Sequence, residues 1–190
     1  MPQIDSLVGL LDSRSFMTIW YWLTLIGMWS ATGRSVLGVP SEVLARARAA
    51  QAKGDPEGAA VIMLLDWLSL VLPRWQLGPR EGAVFLGVTS FLLTSLAILG
   101  FVFWLELAQA VVLLLVPFWL LFWMRARLAR RLMPVIRAAH DGRLTLAEAG
   151  AEATRRMSWH RVMTTILSIA AVAVTVLWGT LWAIMHPNGL

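Results

Sequence analysis

Long apolar stretches alternate with shorter polar ones along the chain, and their lengths predict four membrane-spanning helices. A helix needs about 20 mostly apolar residues to cross the hydrocarbon core of a bilayer. Four stretches come close to or exceed that length, and they are residues 16–37, 83–100, 107–124 and 162–185. The second and third belong to one apolar block, 82–124, which as a single helix would be about 64 Å long, twice the core thickness. We therefore predict a hairpin that turns between Gly100 and Glu106.

The polar stretch after the first span is predicted to hold a helix that does not cross the membrane. Residues 59–72 are apolar, but they are too few for a span, and Asp66 lies at their centre. Such a segment is typical of a helix that lies in the membrane interface or packs beneath the bundle. A fifth crossing here would move one of the two basic stretches of the chain to the other side of the membrane.

The second polar stretch, residues 125–161, predicts a helical hairpin. Its turn falls at Asp141-Gly142, and the next helix is capped by Thr145 with Glu148 three residues on. The same run resembles the second half of an EF-hand calcium loop. Because an arginine and an alanine occupy the earlier positions where such a loop needs oxygen ligands, we favour a capped turn without metal.

The three histidines do not predict a metal or haem site. His140 and His160 fall in the second basic stretch, whereas His186 follows the last span. With this topology, no two of them face each other inside the bundle, as an intramembrane metal would require. We expect neither a metal nor a cofactor.

Positive charge is segregated along the chain, and this segregation predicts the orientation. Fifteen of the sixteen Lys and Arg residues lie in two stretches, Arg34–Arg80 and Arg125–Arg161. An excess of this kind marks the cytoplasmic loops of membrane proteins. We therefore predict an all-α four-helix transmembrane bundle, formed as one integral membrane domain over residues 1–190. Both termini are expected outside, with cytoplasmic loops at 38–82 and 125–161.

Composition excludes several classes of protein. Hydrophobic residues make up 58% of the chain and charged residues only 14%, whereas soluble domains carry about 25% charged residues. The chain has no cysteine, which excludes disulfides, thiolate metal sites and cysteine nucleophiles. Its net charge of +5 favours anionic lipid over nucleic acid, because no polar domain combines basic and aromatic residues. The N-terminus lacks the features of a signal peptide, so we expect it to be retained.

Arginines beside the spans are predicted to bind the anionic headgroups of the cytoplasmic leaflet. These residues are Arg34, Arg125, Arg127, Arg130, Arg131, Arg155, Arg156 and Arg161. A membrane protein with these loops in the cytoplasm would carry such arginines in any case, so their presence does not require a further role for them.

Glu106 is the one ionisable residue close to the centre of the apolar block. An ionisable group inside a membrane suggests a proton or ion site by default. The structural interpretation, which we favour, is that Glu106 starts the third span, where a carboxylate suits the helix dipole. Pro117 would bend that span. Such bends occur in transporters, where they can serve function, but ordinary helix bundles tolerate them as well.

Small residues at every fourth position of the fourth span predict close helix packing. In lipid, small residues let helix backbones approach each other closely. The stripe consists of Ala171, Thr175, Gly179 and Ala183, and a shorter version on the first span consists of Gly27 and Ala31. Packing within the chain and association with a neighbouring protein both remain open.

Residues 13–48 resemble a family of small multi-pass membrane proteins from Rhodobacter-like alphaproteobacteria. The resemblance is carried by Arg14-Ser15-Phe16, Trp20-Tyr21-Trp22, Trp29-Ser30, Val36-Leu37-Gly38-Val39-Pro40 and Arg46-Ala47-Arg48. It implies a location in a bacterial inner membrane and brings no catalytic residues. Some members carry a label that ties them to the Suf iron–sulfur assembly complex. We do not carry that function over, because a chain without cysteine offers no thiolate to a cluster.

No catalytic or nucleotide-binding motif accompanies these features, so we weigh three functions. The first is a non-catalytic integral membrane protein that acts by association, as a homo-oligomer or as an accessory subunit of a larger membrane complex. The alternative is a small channel or transporter subunit with a hydroxyl-lined path near Glu106 and Pro117. An enzyme that uses the arginine clusters to bind a lipid phosphate ranks last, because the topology already requires those arginines.

Overall fold

The computed structural model describes residues 19–185, which are almost entirely helical. Six α-helices follow one another: α1 (Ile19–Gly33), α2 (Ser41–Ala52), α3 (Ala59–Val71), α4 (Pro79–Phe101), α5 (Glu106–His140) and α6 (Leu146–Met185). Two short strands, β1 (Ser35–Val36) and β2 (Val39–Pro40), form an antiparallel pair between α1 and α2, and a 3₁₀ turn (Leu72–Trp75) follows α3.

Three of these helices, α4, α5 and α6, are long and apolar enough to cross a membrane. The predicted hairpin is confirmed, because α4 ends at Phe101 and α5 begins at Glu106. Both α5, with 35 residues, and α6, with 40, continue without a break beyond the predicted spans into the second basic stretch. For the predicted first span, the structure describes a helix of 15 residues, and residues 16–18 lie outside the described part of the chain.

The first span was expected to extend to Leu37, but α1 ends at Gly33. The chain then turns back in a two-residue β-hairpin, with Leu37 (φ 57°) and Gly38 (φ 95°) both in the left-handed region. A type I′ turn requires this conformation at both positions, and glycine adopts it without strain. Leu37 adopts it where its side chain is fully buried and its carbonyl oxygen accepts a hydrogen bond from the Trp75 indole. Burial and this hydrogen bond offset the backbone strain.

The described chain forms two compact units. We call residues 19–29, 79–120 and 167–185 the span unit, and residues 30–78 and 121–166 the basic unit, since the latter holds most of the arginines. Both α5 and α6 contribute residues to each unit.

The basic unit has an apolar core of its own. Four side chains of α3 (Val61, Leu64, Leu65 and Leu68) are buried in this core, whereas Asp66 on the opposite face is exposed. The remaining core residues come from the β-hairpin, α2, the 3₁₀ turn and the parts of α5 and α6 that belong to the basic unit, and include Leu37, Leu44, Leu72, Leu132 and Met157. Helix α3 is therefore packed against other helices of the basic unit, and its position relative to a membrane stays a prediction.

Gly150 brings α6 into close contact with α3. A Cβ atom at this position would overlap Cγ1 of Val61, and it would lie 3.3 Å from Nε2 of Gln51 on α2. Val61 is fully buried, so it has no free space into which it could move. A glycine at this position thus permits the helix contact around which the core forms.

A buried amide joins the helices of the span unit. The side chain of Gln109 is completely buried, and its Nε2 donates a hydrogen bond to the Gly100 carbonyl at 2.8 Å. Its Oε1 accepts a hydrogen bond from the Trp178 indole at 2.9 Å, so Gln109 links α4, α5 and α6. The hydroxyl of Tyr21 on α1 donates to the Ala110 carbonyl at 3.3 Å. In lipid, hydrogen bonds between helices help to hold a bundle together.

A basic groove as the candidate functional site

A groove of about 1090 Å³ lies between α2 and α6 in the basic unit. Helix α2 contributes Arg48 and Gln51 to its lining. Helix α6 contributes side chains between Ala151 and Ile166. Most of them recur after three or four residues, so they lie on one face of the helix. The groove thus runs along α6 through the point where the sequence changes from charged to apolar, between Arg161 and Val162.

Positive charge dominates the polar end of the groove. Its four lining arginines are Arg48, Arg155, Arg156 and Arg161. Glu152 accepts hydrogen bonds from Arg155 (2.6 Å) and Arg156 (2.5 Å). Burial raises the pKa of Glu152, but these two arginines outweigh that effect and hold it below its usual value. Within residues 19–185, Arg48 and Arg161 have no acidic partner, so the groove keeps an excess of positive charge.

Two buried hydrogen-bonding groups of the groove lining have no partner among residues 19–185. Gln51 uses its Oε1 to accept a hydrogen bond from the Thr154 hydroxyl at 2.9 Å, but its Nε2 is buried without an acceptor. The Ser158 hydroxyl is likewise buried and unpaired. Unpaired buried groups of this kind are uncommon in native proteins, because each costs free energy. Both groups can donate to an anion bound in the groove.

The other end of the groove is apolar and exposed. Trp159, Val162 and Ile166 are 65%, 48% and 53% exposed, although all three are hydrophobic. Exposed apolar side chains next to a charged pocket mark an interaction surface for a partly apolar ligand or for lipid.

Smaller cavities near the groove involve most of the other predicted arginines. A cavity of about 240 Å³ is lined by Arg127, Arg131 and Arg156 together with His160. Another, of about 130 Å³, includes Arg125, Arg161 and His160. Arg34 and Arg130 are exposed.

His160 and Arg125 are neighbours in the basic unit. Burial, together with the positive charge of Arg125, lowers the pKa of His160 to about 4. Burial also lowers the pKa of Arg125, whose guanidinium donates to the Thr32 carbonyl at 3.3 Å. His160 is therefore neutral at pH 7 and adds no charge to this surface.

The small-residue stripes divide between the interior and the surface. Ala171 and Thr175 are buried in the span unit, and Gly179 and Ala183 are half-buried. By contrast, Gly27 and Ala31 on α1 are exposed, and a Cβ atom at Gly27 would meet nothing within 4 Å. The stripe on α6 thus serves packing within the chain at Ala171 and Thr175.

The predicted ion site has the geometry of a helix start. Glu106 lies in the first turn of α5 and is 5% exposed. Pro117 lies within α5, which continues through it.

Hydroxyl groups of the apolar helices bond to the backbone of their own helix. Thr24, Thr89, Thr175 and Thr180 each donate to the carbonyl four residues earlier, at 2.7–2.8 Å. A hydroxyl in this geometry satisfies its donor without any polar path beside it.

The turn after α5 is the predicted capping box. The backbone N–H and the hydroxyl of Thr145 donate to the Glu148 carboxylate at 3.0 and 2.9 Å, and the N–H of Glu148 donates back to Thr145 Oγ1 at 3.2 Å. The hydrogen bond from the Thr145 backbone, and to a smaller extent the one from its hydroxyl, lower the pKa of Glu148. Gly142 has a φ of 70°, as this turn requires. Of the other histidines, His140 ends α5 and His186 lies outside the described residues.

The groove residues Arg48, Gln51 and Ser158 were not predicted from the sequence. Arg48 was part of a family resemblance, but no local pattern connects it to residues one hundred positions later. Only the packing of α2 against α6 brings them together. No protein-family model, curated protein or solved structure matches the chain.

Proposed function

We propose that this protein is a non-catalytic integral membrane protein that acts by association, as a homo-oligomer or as an accessory subunit of a larger membrane complex. Three helices are long and apolar enough to cross a membrane. The proposal adds α1 as a fourth span and places both termini outside and both basic loops in the cytoplasm. That orientation follows the segregation of arginines along the sequence.

The observation that carries the proposal is the exposed small position on α1. Gly27 leaves open space beside its backbone, whereas Ala171 and Thr175 on α6 are already used inside the span unit. Open space beside a glycine in an apolar helix permits the close approach of another helix. Neighbouring side chains of α1 are large and exposed, among them Trp20 and Ile26.

The proposed location is a bacterial cytoplasmic membrane, with anionic lipids bound by the arginines on the cytoplasmic side. The resemblance of residues 13–48 to small multi-pass proteins of alphaproteobacteria supports this location. The threonine hydroxyls bond to the backbone of their own helices. This favours a function by association over the alternative function of a channel or transporter with a hydroxyl-lined path.

The test is the size of the detergent-extracted assembly after a single substitution. Gly27→Leu fills the open space and is expected to lower the mass of the assembly or the recovery of its partner. Ala173→Leu is the matched control, because Ala173 is also exposed but lies between the large exposed residues Ile169 and Leu177, one turn away on either side. If Gly27→Leu leaves the assembly unchanged, the proposal loses its structural support.

A further inference from the structure

We propose that the groove between α2 and α6 binds one anionic phospholipid, with the phosphate at its polar end and an acyl chain along its apolar end. The inference rests on the proposed orientation, which places the basic unit at the cytoplasmic leaflet. Its test measures lipid binding by the single chain and does not depend on whether the protein forms an assembly.

The polar end offers the donors that a phosphate group requires. Arg48 on α2 and Arg161 on α6 are not neutralised by any acidic residue among residues 19–185, and both line the groove. Guanidinium groups bind phosphate oxygens through strong, charge-assisted hydrogen bonds. Nε2 of Gln51 and the hydroxyl of Ser158 are buried in the same lining and have no acceptor in the part of the chain that the structure describes. A bound phosphate would satisfy both groups.

The apolar end indicates a lipid rather than a soluble phosphate. The groove lining on α6 has one apolar residue before Arg161, Trp159, and two after it, Val162 and Ile166. About half or more of each side chain is exposed. Val162 and Ile166 begin the proposed fourth span, so acyl chains surround them in the membrane, and a phosphate held beside Arg161 therefore lies where a lipid headgroup would lie. The volume of about 1090 Å³ admits a headgroup and part of a chain.

The experiment is a lipid titration of the delipidated full-length protein in mild detergent, monitored by native mass spectrometry. Phosphatidylglycerol is the anionic probe, phosphatidylcholine the zwitterionic lipid, and glycerol 3-phosphate the soluble phosphate. We expect one phosphatidylglycerol per chain, bound at least tenfold more tightly than either of the other two. Glycerol 3-phosphate binding as tightly as phosphatidylglycerol would overturn the assignment to a lipid. Equal binding of the two lipids would overturn the role of the arginines.

Paired variants separate the groove from the general positive charge of the surface. Arg48→Gln combined with Arg161→Gln should weaken phosphatidylglycerol binding by roughly tenfold or more, because two charge-assisted contacts are lost. Arg74→Gln combined with Arg137→Gln is the control, since it removes the same charge from exposed positions outside the groove lining. An equal loss in both pairs would mean that lipid binds only to diffuse charge and would overturn the proposal.

Ser158→Ala keeps the inference testable without risk to the fold. The hydroxyl has no partner among the described residues, so its removal should leave the thermal midpoint of the lipid-free protein unchanged or higher. The same variant should bind phosphatidylglycerol several-fold more weakly. Unchanged lipid binding in Ser158→Ala, with the arginine pair also unaffected, would refute the site.

Discussion

Adding a single methyl group at Gly150 tests the packing on which the core of the basic unit depends. A Cβ atom there overlaps Cγ1 of the fully buried Val61, so one of the two helices must shift. Overpacking costs about 1–3 kcal/mol, and the upper part of that range, about 2–3 kcal/mol, applies here because the Cβ atom would lie well inside van der Waals contact with Cγ1 of Val61. Replacing glycine by alanine within a helix stabilises the helix by about 1 kcal/mol, which offsets part of this cost. We therefore expect Gly150→Ala to destabilise the contact between α3 and α6 by about 1–2 kcal/mol.

Hydrogen exchange of the α3 backbone amides measures this loss where it occurs. A loss of 1–2 kcal/mol corresponds to exchange that is roughly 5- to 30-fold faster. Gly87→Ala is the matched control, because Gly87 lies in the apolar helix α4 and a Cβ atom there meets nothing within 4 Å. Its amides should exchange no faster than those of the unmodified protein.

A double variant shows whether the overlap is the cause. Val61→Ala alone removes two buried methyl groups, worth about 0.8 kcal/mol each, and leaves a small cavity. In Gly150→Ala with Val61→Ala, the new methyl group occupies that cavity. The double variant should therefore be more stable, by about 1–3 kcal/mol, than the sum of the single effects predicts. Additive effects, or a Gly150→Ala protein as protected as the original, would refute the described helix contact.

Three further predictions concern other hydrogen bonds and one buried histidine. Gln109→Leu leaves the Gly100 carbonyl and the Trp178 indole without partners and should cost about 1–2 kcal/mol in a denaturant titration in detergent; an unchanged midpoint would contradict the role of the amide. The pKa of His160 in the folded protein, about 4, lies below its unfolded value of 6.5, so the unfolded state binds the proton first. The thermal midpoint should therefore fall as the pH is lowered from 6.5 towards 4, and this fall should be smaller in His160→Gln; identical pH profiles would count against burial of the ring. Thr145→Ala removes the cap of α6 and should cost about 1 kcal/mol of stability. Hydrogen exchange of the backbone amides should become faster only in the first turn of the helix. Unchanged protection there would show that the capping box contributes nothing.

Local signals in the sequence predicted several elements of this fold. The hairpin between α4 and α5 follows from the length of the apolar block, which no single helix could place in a bilayer. The capping box at Thr145 and Glu148 depends on four consecutive residues, and the structure has it as predicted. Both inferences need only local geometry, so they did not depend on the tertiary structure.

Other features depend on contacts between distant residues and could not be predicted in this way. Leu37 adopts a left-handed conformation because its side chain is buried and because Trp75, 38 residues later, binds its carbonyl. The sequence shows that Gln109 is polar, but its partners Gly100 and Trp178 meet it only in the folded span unit. The groove likewise requires α2 and α6 to pack together, although its arginines on α6 had been singled out for lipid binding.

The proposal that this membrane protein works by association is tested by weighing the intact assembly. The tagged protein is produced at its native level, extracted in mild detergent and analysed by native mass spectrometry, which identifies every component. We predict a complex of fixed stoichiometry that is larger than the 21.1 kDa chain, either a homo-oligomer or a complex with one defined partner assembly. A homogeneous monomer that carries only lipid and detergent would contradict the claim.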